Sequence, residues 1–266
     1  MHMSEVAEIG PHIRIDGIGK PGQLDRIAEL FEPGRLEPYR LAGCISVCSR
    51  TLDNRIHYLG SYYPVADEIA GVAAHSTQVP LTVRLDTDNI EWHRGQTAST
   101  LLKAAQALTG NAFESVELDH RYPWFTPAGK ASLTRFRNAG LLCTQGLSTD
   151  ILHHYQPLEL ARQIRAVRSL SGVVFTLFGG ESLQTQAVRL LPYMQHINEV
   201  APRVNIALAG VIRSEDVRHV IQAFKDVPLS FHIGSGVRGA NWPQEIDMQR
   251  VKRVFNAFGR ALIAQS

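Results

Sequence analysis

The chain alternates two kinds of hydrophobic pattern from end to end. Short runs with period two, rich in Val, Ile, Leu and Phe, are followed by longer stretches with apolar residues at helical spacing, the pattern of βα units around a parallel sheet. Eight such units are predicted. The strands fall at His12–Gly17, Gly43–Ser49, Leu81–Asp88, Ser115–His120, Leu141–Ser148, Val173–Gly179, Val204–Gly210 and Leu229–Gly234. The helices fall at Gln23–Leu30, Pro64–Ala74, Ser99–Leu108, Pro127–Ala139, Pro157–Leu170, Gln184–Val200, Ser214–Phe224 and Glu245–Ala264. Ser214 reads as an N-cap, with Glu215 and Asp216 complementing the helix dipole. The first unit is the least regular, since Gly17–Gly22 is a flexible stretch and Glu32–Leu41 has no clear period; a seven-stranded or decorated barrel is the alternative there.

The polar positions carry more information than the apolar ones. Strands of a parallel sheet covered by helices usually read as continuous apolar runs, but here Ile13 and Ile15 alternate with Arg14 and Asp16, and Leu81, Val83 and Leu85 with Thr82, Arg84 and Asp86. Val116 and Leu118 alternate with Glu117 and Asp119, and Leu229, Phe231 and Ile233 with Ser230, His232 and Gly234. Because successive side chains point to opposite faces, one parity packs under the helices and the other faces a lumen. The fold class is therefore α/β, a single (β/α)8 barrel over residues 1–266, with 1–11 as a loose N-terminal extension; 266 residues suit one such domain. Charged groups inside a barrel are costly unless paired, and Arg84 with Glu117 and Asp16 with His232 are the predicted pairs.

Composition excludes several classes of function. A formal charge of +2, with basic residues scattered, offers no footprint for nucleic acid or a membrane surface. No apolar run is long enough to span a bilayer and the first residues do not resemble a signal peptide. Three cysteines, Cys44, Cys48 and Cys143, argue against a disulfide framework. A cytoplasmic protein binding a small anionic metabolite is expected. The sequence sets no oligomeric state, and a homo-oligomer is compatible with it.

Candidate chemistry gathers at the strand C-terminal ends, where barrel active sites are built. His232 is the expected proton-transfer group, since imidazole titrates near neutrality, with Asp86, Glu117 and Asp119 as acids. Gly234, Ser235 and Gly236 with Arg238, and Arg213 after the seventh strand, match loops that bind phosphate: glycines let backbone N–H groups approach an anion and arginine adds charge. Arg84 is a further anion ligand. No cofactor is expected; the alternative is a divalent metal held by Asp88, His120 and His232. The five lysines lie on predicted helices or, for Lys225, directly after one, except Lys20, so a Schiff base is not supported. The insertion Arg50–Tyr63, with three tyrosines, follows the second strand and so falls on the face where barrel active sites are built; the sequence does not decide whether it forms a lid.

Pro80-Leu81-Thr82-Val83-Arg84, Val116-Glu117-Leu118 and Pro157-Leu158-Glu159-Leu160 together resemble the arginine-bearing strand, the acidic strand and a following helix of type I dehydroquinate dehydratase. That resemblance, over less than a third of the chain, implies a barrel and a carboxylate-binding Arg84. The family's catalytic histidine would fall near Asp150 or Ile151 and its lysine near Thr176, and neither is present, so its activity does not carry over. The functional expectation is a lyase or isomerase using acid/base catalysis on a small phosphorylated or carboxylated metabolite. A metal-dependent hydrolase or epimerase, and a barrel without catalysis serving as a binding or assembly subunit, are the alternatives.

Overall fold

A computed structural model describes residues 10–48, 63–75, 79–86, 98–110, 112–119, 124–239 and 245–264. Eight parallel strands close into a barrel in sequence order: β1 His12–Asp16, β2 Arg40–Val47, β3 Leu81–Leu85, β4 Ser115–Leu118, β5 Leu142–Leu147, β6 Gly172–Leu177, β7 Asn205–Gly210 and β8 Leu229–Ile233. The first unit closes the ring with the others, β1 pairing with β2 on one side and β8 on the other. β2 begins three residues earlier than its pattern suggested, because Arg40 N donates to Pro11 O and extends the ladder toward the start of β1. β3 and β4 stop sooner than predicted, at Leu85 and Leu118, so Asp86 and Asp119 stand just past the strand ends.

The helices are α1 Gln23–Ala28, α2 Pro33–Leu36, α3 Ala66–His75, α4 Ala98–Thr109, α5 Pro127–Asn138, α6 Thr149–His154, α7 Pro157–Ala166, α8 Leu183–Val200, α9 Val217–Ala223 and α10 Met248–Ile263. Two of them correct the sequence expectation. Ser148 is not the end of a strand but the N-cap of α6, its hydroxyl accepting from Ile151 N at 3.3 Å. Ser214 does not cap α9: its hydroxyl donates to Glu215, and Asp216 accepts from Arg213 N at 3.1 Å, which forms a turn ahead of the helix. None of the described helices is long and apolar enough to cross a membrane.

The outward parity builds the core. Ile13, Ile15, Ile45, Val47, Val83, Leu85, Val116, Leu118, Val173, Phe175, Ile206, Leu208, Phe231 and Ile233 are all buried in one cluster with the inner faces of the helices. The strongly amphipathic α10 seats Phe258 against Phe231, ring centroids 5.0 Å apart. Burial of such side chains contributes about 1.5–3 kcal/mol each and fixes the register, since a slip by one residue would exchange core and lumen faces. Val174, Ala207 and Ala209, on the other parity, form a separate small cluster inside the ring.

Two loops at the C-terminal face are locked by buried glutamines, whose short amide arms satisfy backbone groups that loops otherwise leave unpaired. Gln23 accepts from Gly19 N at 3.0 Å; Gln186 accepts from Phe178 N and donates to Phe178 O and Glu181 O. Gly236 shows another device: a Cβ there would lie 1.8 Å from Ile212 O, so the turn after β8 packs directly on the turn after β7.

Candidate active site

The strand register sets the order of charges along the lumen. Arg14 is opposite His232 across the seam and Arg84 is opposite Glu117, all in the middle of the barrel. His12 begins β1 at the N-terminal mouth, whereas Asp16, Asp86 and Asp119 stand toward the C-terminal mouth. All three acids, with Arg14, Glu117 and His232, are buried.

Their charges interlock. Arg14 Nε donates to Asp16 Oδ1 at 2.6 Å, and its Nη2 lies 2.6 Å from Glu117 Oε2 on the far side of the lumen. Arg84 Nε lies 2.9 Å from Asp86 Oδ1 and 3.6 Å from Glu117 Oε1, so the predicted Arg84 and Glu117 partnership is present. The predicted Asp16 and His232 pair is not the one formed, because Asp16 is taken by Arg14 on its own strand. His232 instead places Nδ1 3.4 Å from Glu117 Oε2 and Nε2 3.1 Å from Nε2 of His12. A parity count assigns faces but not reach, and the long Arg14 side chain captures the nearer carboxylate.

This packing sets the protonation states. Burial alone would raise Glu117, but Arg14, His232 and Arg84 outweigh it and hold its carboxyl well below the usual range. Asp86 moves the other way, raised by burial and by neighbouring Asp119 against the pull of Arg84 and a 2.7 Å hydrogen bond from Tyr63. His232 is lowered by burial and Arg14, and His12 falls to about 3 through burial, His232 and Arg14. At neutral pH the lumen therefore holds a fixed carboxylate, a carboxyl displaced toward its protonated form and two neutral imidazoles. Carboxyls pushed apart in this way are a signature of divided acid and base roles.

The anion loops are only partly as expected. Gly234, Ser235 and Gly236 follow β8, with Ser235–Val237 in one 3-10 turn and Ser235 Oγ 3.5 Å from Gly210 O. Arg213 is exposed, its backbone N–H already accepted by Asp216. Arg238 corrects the reading of an anion-binding arm: the guanidinium is buried and its Nη2 donates to Asp16 O and Gly17 O, each at 2.9 Å, bracing the end of β1. Of the alternative metal set, Asp88 and His120 lie outside the described residues, as does the Arg50–Tyr63 insertion apart from Tyr63. Among the described residues no group of three or more His, Cys, Asp or Glu is placed to hold a metal ion.

His12 and Gln145 were not singled out from sequence. His12 shares the parity of Arg14 and Asp16, which is the signal that marks it as a lumen residue. Gln145, on the outward parity, is completely buried and its Nε2 donates to Asp119 O at 2.8 Å, fixing the end of β4; nothing in the pattern distinguishes it from a core filler.

With this geometry in hand, comparison with solved structures places the fold. It is a TIM barrel. N-(5'-phosphoribosyl)anthranilate isomerase from Pyrococcus furiosus is similar with a TM-score of 0.56 at 14% identity, covering 94% of this chain and 99% of that one. Phosphoribosyl anthranilate isomerase from Thermococcus kodakaraensis gives 0.52 at 15% identity over 92% and 97% of the two chains, and triosephosphate isomerase from Bartonella henselae 0.51 at 12% over 94% and 99%. At these identities the likeness concerns the fold alone. No family model and no curated protein matches the sequence, so the local resemblance to dehydroquinate dehydratase reduces to a shared architecture.

Proposed function

We propose that the protein is an isomerase or lyase that works by metal-independent acid/base catalysis on a small phosphorylated or carboxylated metabolite. The observation that carries this reading is the neutral, buried His232 held in the closed lumen between the Glu117 carboxylate and His12. A neutral imidazole is a competent base at physiological pH, and a fixed carboxylate beside it stabilises the imidazolium that forms on proton abstraction. Asp86, whose carboxyl is shifted toward its protonated form, is assigned the return of a proton, and Asp119 the support of that shift.

Substrate binding is assigned to the more open basic group of the network and to the loops at the rim. Arg84 is more open than Arg14, with 23% of its side chain accessible, and is assigned the substrate anion from within the lumen. Gly234, Ser235, Gly236 and Arg213 are assigned a phosphate or carboxylate at the rim, where backbone N–H groups serve either. Arg238 Nη2 is engaged in bracing the end of β1. That similar folds include enzymes named as isomerases of phosphoribosylanthranilate and triosephosphate supports the substrate class by analogy.

The test is incubation of the protein with a panel of small phosphorylated and carboxylated carbonyl compounds in D2O, following loss of C–H proton signals. Acid/base chemistry on such a compound washes deuterium into the carbon that loses its proton, whatever the product. Wash-in with at least one member is expected; none across the panel would overturn the reading.

A further inference from the structure

The imidazole most buried in the lumen is not isolated from solvent at the end opposite the candidate active face. His232 Nε2 and His12 Nε2 are 3.1 Å apart while the ring centroids are 5.2 Å apart, so the rings meet edge to edge through nitrogen rather than face to face. That is the arrangement of an N–H···N hydrogen bond. On its other side, His12 Nδ1 lies 3.1 Å from Ser230 Oγ and 3.3 Å from Gly10 O. Ser230 Oγ also accepts the His12 backbone N–H at 3.1 Å, which holds the ring in place.

His12, Arg14 and His232 also line a cavity of about 150 Å³ at the N-terminal mouth, together with the hydroxyl-bearing Thr82, Ser115 and Thr144. Arg40, Pro80 and Glu114 are exposed at its rim. The volume is ample for several waters, which need polar partners of this kind. The charged groups facing the pair are Arg14, Glu117 and Asp16 inside and Arg40 and Glu114 at the rim.

We infer that His12 is a relay residue that exchanges protons between His232 and water in the N-terminal mouth, by a route separate from the substrate's entrance. Two tautomer arrangements satisfy the chain of contacts. In one, His12 carries its proton on Nδ1 toward Gly10 O and His232 carries its proton on Nε2, donating to His12. In the other, Ser230 Oγ–H donates to His12 Nδ1, His12 Nε2–H donates to His232, and His232 Nδ1–H faces Glu117. Passing from the first to the second moves one proton through: Nδ1 of His232 gains a proton from the lumen, its Nε2–H bond breaks as an N–H forms on His12 Nε2, and the Nδ1 proton of His12 leaves to mouth water. In the reverse passage mouth water protonates His12 Nδ1, the His12 Nε2 proton returns to His232 Nε2, and the His232 Nδ1 proton is delivered to the lumen, which frees that nitrogen. His12 needs no contact with substrate, and protons pass between the lumen and water without opening the C-terminal face.

The inference deepens the acid/base reading of His232, but its test does not need turnover. In protein with 15N-labelled histidine, the exchange rate of the His232 ring N–H with solvent is measured by NMR in the parent chain and in His12→Phe, His12→Gln, His12→Ala and Ser230→Ala. A slowing of at least tenfold is expected in His12→Phe and in His12→Gln, which can hydrogen-bond His232 but cannot pass a proton, with a smaller slowing in Ser230→Ala. Imidazole added to His12→Ala should restore exchange toward the parent rate, while the same imidazole leaves the parent little changed; a merely structural role for His12 would show no such rescue. Unchanged exchange in the variants that fold, or slowing that imidazole does not relieve, would overturn the relay. A slowed exchange with no wash-in from any panel compound would leave the relay standing and remove the proposed reaction.

Discussion

The two halves of the barrel interior are built on opposite principles. From β8 through β1 to β4 the inward positions carry His232, Arg14, Asp16, Arg84, Asp86 and Glu117, a connected set of charges. From β5 to β7 they carry Thr144, Gly146, Gly172, Val174, Thr176, Asn205, Ala207 and Ala209, mostly small residues with no formal charge. Barrel interiors are ordinarily filled by layers of branched apolar side chains, and neither half follows that habit. The charged half gives up hydrophobic packing for a fixed electrostatic wall, which breaks even only through mutual pairing. Phe178 and Val211, exposed just past β6 and β7, place apolar side chains at the rim of the small half. The difference sets a wall of mutually paired charges against a wall of mostly small, uncharged side chains within one ring of strands.

The comparison breaks first at Arg14. Arg14→Met leaves Asp16 buried without its cation and Glu117 with only the more distant Arg84, and should cost about 3–5 kcal/mol in urea unfolding. On the small side, Ala209→Leu next to His232 in the ladder should cost less, about 1–3 kcal/mol from overpacking, while abolishing any wash-in that the parent chain shows. Equal costs at the two sites would erase the distinction between a paired wall and an uncharged one.

How far this was readable beforehand depended on the kind of information needed. The parity of Arg84, Glu117 and His232 was legible because helices cover one face and demand apolar residues there. The strand ends were not, because Asp86 and Asp119 continue the alternation after the ladder has stopped. Pairings across the lumen were the least legible: Asp16 and His232 sit on adjacent strands, yet the register sets Arg14 opposite His232 and leaves Asp16 to its own neighbour. Arg238, flanked by glycines, reads as an anion ligand, and only the fold reveals that the carbonyls of Asp16 and Gly17 need its donors. His12 looked like the start of a strand, and its meaning depends on a nitrogen brought from 220 residues away.

Acidification should weaken the charged half selectively. His12 and His232 have folded-state pKa values below their unfolded value of about 6.5, so the unfolded chain binds more protons beneath it and stability falls as pH drops from 7 toward 4. Glu117, depressed by Arg14, adds to this loss once pH reaches its unfolded value of about 4.3. Asp86, raised, acts in the opposite sense, its contribution present at low pH and lost as pH rises through its folded value. Replacing both histidines by Gln should flatten the urea midpoint between pH 7 and 5; an undiminished slope would locate the acid sensitivity elsewhere. The smallest effect belongs outside the lumen, where the exposed Lys20 and Glu245 pair at the rim should be removable by Lys20→Ala with no measurable change in the unfolding midpoint.

The central claim is that His232, neutral and set between Glu117 and His12, performs the proton transfer. It is tested most directly by the deuterium wash-in rate of His232→Gln relative to the parent chain, on the panel compound that the parent labels fastest. The account predicts a fall of about 10²–10⁴ in a protein whose circular dichroism is unchanged. A His232→Gln protein that labels the compound at the parental rate would contradict it.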